Sequence, residues 1–173
     1  MRDCAQGLSF LHLNRTIMRY LDPDHVMVCP GPSGEVCFKL RPGSKFALSE
    51  EENESSISVR VAAPELFNSG RFTPESDVWS LGVLSWTILS KGEPLYWGLT
   101  DGQVLEAVRG GWRLPLPGAQ FGAKDALHTV MLQCWEARPN QRPRAKEIQF
   151  KFEQILAETT TTTKESNIPG IPV

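Results

Sequence analysis

The architecture turns on residues 73–92, Thr73-Pro74-Glu75-Ser76-Asp77-Val78-Trp79-Ser80-Leu81-Gly82-Val83-Leu84-Ser85-Trp86-Thr87-Ile88-Leu89-Ser90-Lys91-Gly92. Thr73 is of the type that caps a helix N-terminus, and Pro74 suits the first helical position. At the other end, Lys91-Gly92 supplies a cation and a terminating glycine. Between these signals Val78, Trp79, Leu81, Val83, Leu84, Trp86, Ile88 and Leu89 are spread around the whole circumference of a helix. A helix apolar on every side is buried, in a large domain or in a membrane. The unbroken apolar part falls well short of the ~20 residues a bilayer needs, and Asp77 stands in its first turn. The segment is therefore a core helix. Asp77 admits two readings: an acid placed to suit the helix dipole, or a buried carboxylate gripping backbone amides of a neighbouring loop.

Around that helix, 173 residues are enough for one domain with a substantial core. A hydrophobic content of 40% fits a soluble globular protein, and a net charge of -2 offers no general attraction to nucleic acid. Cys4, Cys29, Cys37 and Cys134 show neither metal-ligand nor redox spacing, so reduced thiols in an intracellular protein are expected. No signal peptide, membrane span or internal repeat is visible. Helix-patterned sequence follows Met1 directly, which sets the expectation of a start inside a domain.

Residues 2–13 place Cys4, Leu8 and Leu11 on one face, with Phe10 and Leu13 beside it, and predict an amphipathic helix. Residues 15–25 follow no period and read as a loop. Val26-Met27-Val28 and Val36-Cys37-Phe38 predict short strands around the turn Pro30-Gly31-Pro32-Ser33-Gly34. The polar run from Arg41 to Ser58, with acids at Glu50, Glu51, Glu52 and Glu54, reads as a long mobile loop. Thr100 can cap a short helix carrying Val104, Leu105 and Val108. Residues 123–136 and 143–157 carry helix-spaced apolar positions. From Thr159 onward, five consecutive threonines and a Pro-Gly-rich end predict a disordered tail over 159–173, after a domain spanning 1–158.

Ala63-Pro64-Glu65, Asp77-Val78-Trp79-Ser80-Leu81-Gly82-Val83, Cys134-Trp135 and Arg142-Pro143 stand in the order and spacing of a protein kinase C-terminal lobe, which the chain resembles from about Arg2 to Leu156. Within kinases it resembles the tyrosine kinases. Gly92-Glu93-Pro94-Leu95-Tyr96-Trp97, Gly111-Trp112-Arg113-Leu114-Pro115 and Met131-Leu132-Gln133-Cys134-Trp135 look most like the Eph receptor branch. The resemblance implies a mainly α fold: a helical C-lobe with a short β hairpin beside the catalytic loop, and no N-lobe in this chain. It also implies that Asp77 holds the catalytic-loop backbone and that Glu65 pairs with Arg142. Breaking such a buried pair costs about 3–5 kcal/mol, because one charge is stranded. By the same resemblance Trp79 and Gly82 belong to the motif of Asp77, and Ala63 and Pro64 to that of Glu65.

The family's chemistry requires an Asp to orient the substrate hydroxyl, an Asn and an Asp to hold magnesium, and an N-lobe lysine on the nucleotide phosphate. Alignment puts Met18-Arg19-Tyr20 at the His-Arg-Asp position, so Tyr20 replaces the catalytic Asp and His25 the Asn. Arg41-Pro42-Gly43 falls at Asp-Phe-Gly. Registers shifted to His12-Leu13-Asn14, to Asp22 or to Pro42-Gly43-Ser44 do not restore the pattern. Arg19 is retained; in the family it contacts a phosphate on the activation loop, where Glu50, Glu51, Glu52 or Glu54 offers fixed negative charge here. A solvated acidic run explains those residues as well. No Gly-rich phosphate loop or strand lysine is found in the chain.

These readings imply a pseudokinase C-lobe that uses no cofactor, where the family uses ATP and magnesium. It would act by binding signalling proteins, a related kinase among them. The expected setting is cytoplasmic, or the cytoplasmic face of a membrane if the complete protein is a receptor. The competing reading is a fragment of an active ATP-dependent protein tyrosine kinase completed by residues elsewhere. A third feature is the C-terminus: Ile171-Pro172-Val173 fits the hydrophobic-x-hydrophobic ends that PDZ domains capture, a match three residues also reach by chance.

Overall fold

The computed structural model describes residues 1–19, 21–41, 58–117 and 124–165. Tyr20, the acidic run and the rest of 42–57, and Ile171 and Val173 lie outside the described residues. Among those described, six helices and one hairpin make a mainly helical structure, as the sequence predicts. The elements are α1 (Arg2–Leu13), β1 (Val26–Pro30), β2 (Val36–Leu40), α2 (Leu66–Ser69), α3 (Pro74–Leu89), α4 (Asp101–Arg109), α5 (Lys124–Cys134) and α6 (Ala145–Glu165). Short 3-10 turns occupy Pro23–His25 and Pro139–Gln141.

The core is assembled on α3. Thr73 Oγ1 accepts from Ser76 N at 3.2 Å while Ser76 Oγ accepts from Thr73 N at 2.9 Å, so two donors at the helix start are satisfied reciprocally. Every residue from Ser76 to Trp86 is buried. The apolar circumference opens only in the last turn, where Ile88 is 43% exposed. The chain then leaves through two left-handed residues, Lys91 and Gly92, and Gly92 N donates to Thr87 O at 2.8 Å.

The other elements pack around this post. α1 buries Cys4, Ala5 and Leu8, and lies on α6 and β2; α5 lies on α3 and α6. Phe10 and Leu13 point away from that contact and are exposed, which narrows the buried face of α1 relative to its apolar content. β1 and β2 pair antiparallel from Val26 opposite Leu40 to Pro30 opposite Val36. Gly31 N closes the connecting turn on Glu35 O at 2.7 Å. α4 starts on a second reciprocal cap: Gln103 Oε1 accepts from Thr100 N at 2.9 Å and Thr100 Oγ1 from Gln103 N at 3.4 Å.

One boundary differs from the expectation. α6 continues through Glu165, into the threonine run that composition marks as tail. Thr159 Oγ1 donates to Ile155 O at 2.8 Å, one turn back, sharing that carbonyl with the helix ladder.

Candidate functional site

The centre of the site is the loop between α1 and β1, and Asp77 shapes it. Asp77 sits in the first turn of α3 and is almost fully buried. Its Oδ2 accepts from Met18 N at 2.7 Å and its Oδ1 from Arg19 N at 2.9 Å. His12 Nε2, at the end of α1, lies 3.0 Å from Oδ2. One carboxylate thus ties three points of the α1–β1 connection to the core helix. It also supports local strain: Arg19 adopts the left-handed conformation at φ 64, unusual for a residue with a Cβ. The Arg19 guanidinium extends over the Phe72 ring at 5.9 Å.

A second buried charge locks the lower half of the molecule. Arg142 follows the Pro139–Gln141 turn, and its side chain is fully buried. Nη1 and Nη2 donate to Glu65 Oε1 and Oε2 at 2.6 and 2.9 Å, a two-pronged pair. The remaining donors reach Glu136 O and Glu75 O, both at 2.9 Å. Ala63 is fully buried just before Glu65. Trp79 carries two cations, with the Arg113 and Arg142 guanidinium carbons 4.9 and 5.0 Å from its ring centre.

On the upper side, Asp22 caps the Pro23–His25 turn. Its Oδ1 accepts from Asp24 N at 2.9 Å and from His25 N at 3.2 Å, and it lies 2.7 Å from His25 Nδ1. The imidazole is thereby folded back on its own turn. Arg41 is exposed at the end of β2: its N–H donates to His25 O at 2.8 Å, and its guanidinium reaches Asp24 O at 3.3 Å. His25 and Arg41 are therefore neighbours across the base of the hairpin.

A family model described as protein tyrosine and serine/threonine kinase matches residues 1–152. The chain belongs to the protein kinase family. Tyrosine kinases are among its relatives. It is 34% identical over 88% of its length to the megakaryocyte-associated tyrosine-protein kinase of Mus musculus, of which it covers 29%. It is 35% identical over 96% of its length to ephrin type-B receptor 6 of Rattus norvegicus, covering 15% of that protein. Ephrin type-B receptor 1 of Gallus gallus is 29% identical over 99% of the chain, with 18% of the receptor covered. The chain thus spans less than a third of the length of these relatives, and Eph receptors stand beside another tyrosine kinase among them.

Three residues that position this kinase lobe escape sequence reading. His12 is the third partner of Asp77, and an isolated histidine at a helix end carries no signal of that role. Arg60 donates to Asp101 Oδ1 at 3.0 Å, Leu95 O at 2.7 Å and Leu99 O at 2.6 Å, stapling the segment before α2 to the approach to α4. Arg113 caps the carbonyls of Trp135, Val108 and Trp112 at 2.8, 2.9 and 2.8 Å. Backbone carbonyl acceptors leave no residue-type signature: Arg60 looks like an ordinary surface cation in the sequence, and Arg113, though part of the Gly111–Pro115 motif, shows nothing there of its carbonyl contacts. Among the described residues, no helix is long and apolar enough to cross a membrane.

Proposed function

We propose that this chain is a catalytically silent kinase lobe that acts by binding protein partners. The observation that carries the reading is the grip of Asp77 on the amides of Met18 and Arg19. It supports the register in which Tyr20, the next residue, stands where the family places its hydroxyl-orienting Asp. A phenol with a pKa near ~10 is a poor base at neutral pH. In the same register His25 and Arg41 take the two magnesium-ligand positions. A hard divalent cation wants oxygen donors, and an imidazole held by Asp22 with a guanidinium beside it does not fit that need. The nucleotide-magnesium group of the family is therefore no part of the proposed mechanism.

What remains is a folded surface. Trp97 is 84% exposed in the turn before α4, and Trp112, half-exposed after it, lies 5.5 Å from the Tyr96 ring centre. Exposed aromatics of this kind are the usual anchors of protein interfaces. Signalling proteins, a related kinase among them, are the proposed partners, in a cytoplasmic setting or at the cytoplasmic face of a membrane.

The test is labelled-phosphate transfer from ATP to a tyrosine polymer, run beside a buffer-matched control for contaminating kinase. The expected result is no transfer by the chain, and none by the triple variant Tyr20→Asp, His25→Asn, Arg41→Asp, because phosphoryl transfer also needs groups that clamp the nucleotide from the opposite side. Turnover by the unaltered chain above the control overturns the reading. Turnover by the triple variant alone supports the register and shows that this lobe holds nucleotide by itself.

A further inference from the structure

We propose that Cys29 and Cys37 are a paired thiol site that closes to a disulfide across the hairpin when a hydroperoxide is present. The two cysteines are direct partners in the β1–β2 register. Gly31 N bonds Glu35 O on one side of them and Arg41 N bonds His25 O on the other. Counting in steps of two between those bonded pairs makes Cys29 and Cys37 a hydrogen-bonded pair, with α-carbons about 5.5 Å apart. That α-carbon separation lies within the range of disulfides, and the side chains leave the same face of the ladder. The β-carbons of a hydrogen-bonded pair stand about 5.5 Å apart, so closure draws the two strands together by about 1 Å. Both residues are free thiols and only half-buried, so a small oxidant reaches them. Cys4 and Cys134, by contrast, are buried.

The surroundings of Cys37 assign the two roles. Its sulfur donates to Glu35 Oε1 at 3.8 Å, and the Glu35 carboxylate and then this sulfur occupy the space left by the missing Cβ of Gly31. Burial, then the Glu35 and Asp3 carboxylates, push the Cys37 thiol up, so it ionises late. The Glu35 carboxylate engages the Cys37 sulfur, which leaves Cys29 as the attacking thiol. Its thiolate takes the terminal oxygen of the hydroperoxide, the O–O bond breaks, and the departing alkoxide (hydroxide, for hydrogen peroxide) leaves as alcohol or water after gaining a proton. The Cys29 sulfenic acid is then attacked by Cys37 after a χ1 rotation away from Glu35. The S–S bond forms, the S–O bond breaks, and the second oxygen leaves as water with the Cys37 proton. Two thiols lose two electrons and two protons, and the peroxide accepts them. A half-exposed bond of this kind is open to reduction by glutathione, which makes the step reversible.

The experiment uses the full chain, reduced, exposed to hydrogen peroxide, alkylated and weighed intact. The expected product has two fewer alkylatable thiols and a peptide joining Cys29 to Cys37. Cys29→Ser and Cys37→Ser each abolish the link, whereas Cys4→Ser keeps it. In Cys37→Ser the sulfenic acid stays on Cys29 and is trapped by dimedone. Glu35→Gln accelerates closure by freeing the Cys37 thiol. The link should weaken sharply when oxidation is done in denaturant, since it depends on strand register. Independent over-oxidation of the two sulfurs, links only between molecules, or equal linkage in denaturant would each overturn the proposal.

Discussion

Two buried charges, Asp77 and Arg142, hold this chain together in different ways, and the difference predicts how each fails. Asp77 accepts from two backbone amides in a site that excludes water. Asp77→Ala strands both donors, at about 1–3 kcal/mol for each. Asp77→Asn keeps one acceptor and should cost less; the urea midpoints of the two variants check this ordering. Arg142 has three acceptor groups, the Glu65 carboxylate and two backbone carbonyls. Glu65→Ala leaves the guanidinium its two carbonyls and the Trp79 ring, whereas Arg142→Ala removes the connection altogether. Arg142→Ala should therefore be the more damaging, toward the upper end of about 3–5 kcal/mol, and equal midpoints for the two would contradict the geometry. Two further residues set an alkaline limit. Burial raises the Cys134 thiol from 9.0 to about 12 and the Tyr96 phenol from 10.0 to about 12. In both the folded state holds its proton longer than the unfolded chain does. Their contribution is complete below pH 9 and is lost as the pH rises towards 12. Tyr96→Phe should flatten the upper part of that decline, in unfolding curves taken at steps of pH.

At the scale of elements, α3 shows why packing outranks propensity. Gly82 sits mid-helix, where alanine is intrinsically better by about 1 kcal/mol. A Cβ at this position would meet Trp135 Nε1 at 2.7 Å and Cys134 Cβ at 2.9 Å, both at the end of α5. Those neighbours are buried and have little room to give. Gly82→Ala should therefore destabilise, by about 1–3 kcal/mol, despite its better propensity; a raised melting temperature would show that α5 can shift. Thr73→Ala should cost about 1 kcal/mol through loss of the cap. Much of α3 is readable from residue types alone, because all-round apolarity, a capping threonine and a closing glycine each have a compositional signature. The register of β1 against β2 does not have one: Cys29 and Cys37 become partners only once the turn at Gly31–Glu35 fixes the strand offset. The helical course of the threonine run through Glu165 has no such signature either.

Across the whole molecule, the helical core is dense while the face shared by α1 and the hairpin remains apolar and exposed. Phe10 lines a groove with Phe38, and Val28 opposes Phe38 in the sheet. The double change Phe10→Gln, Val28→Thr should reduce aggregation and binding of an apolar dye while changing the unfolding free energy by no more than about 0.5 kcal/mol, as light scattering and urea titration would show. A larger loss of stability would mean that this face is part of the core. The Asp77 contacts have a consequence for mutational tolerance. The carboxylate holds the α1–β1 loop by main-chain nitrogens, which every amino acid but proline supplies. Apart from the left-handed turn at Arg19, such a hold asks little of the loop's side chains. Side chains of that loop can change and leave the scaffold's hold in place.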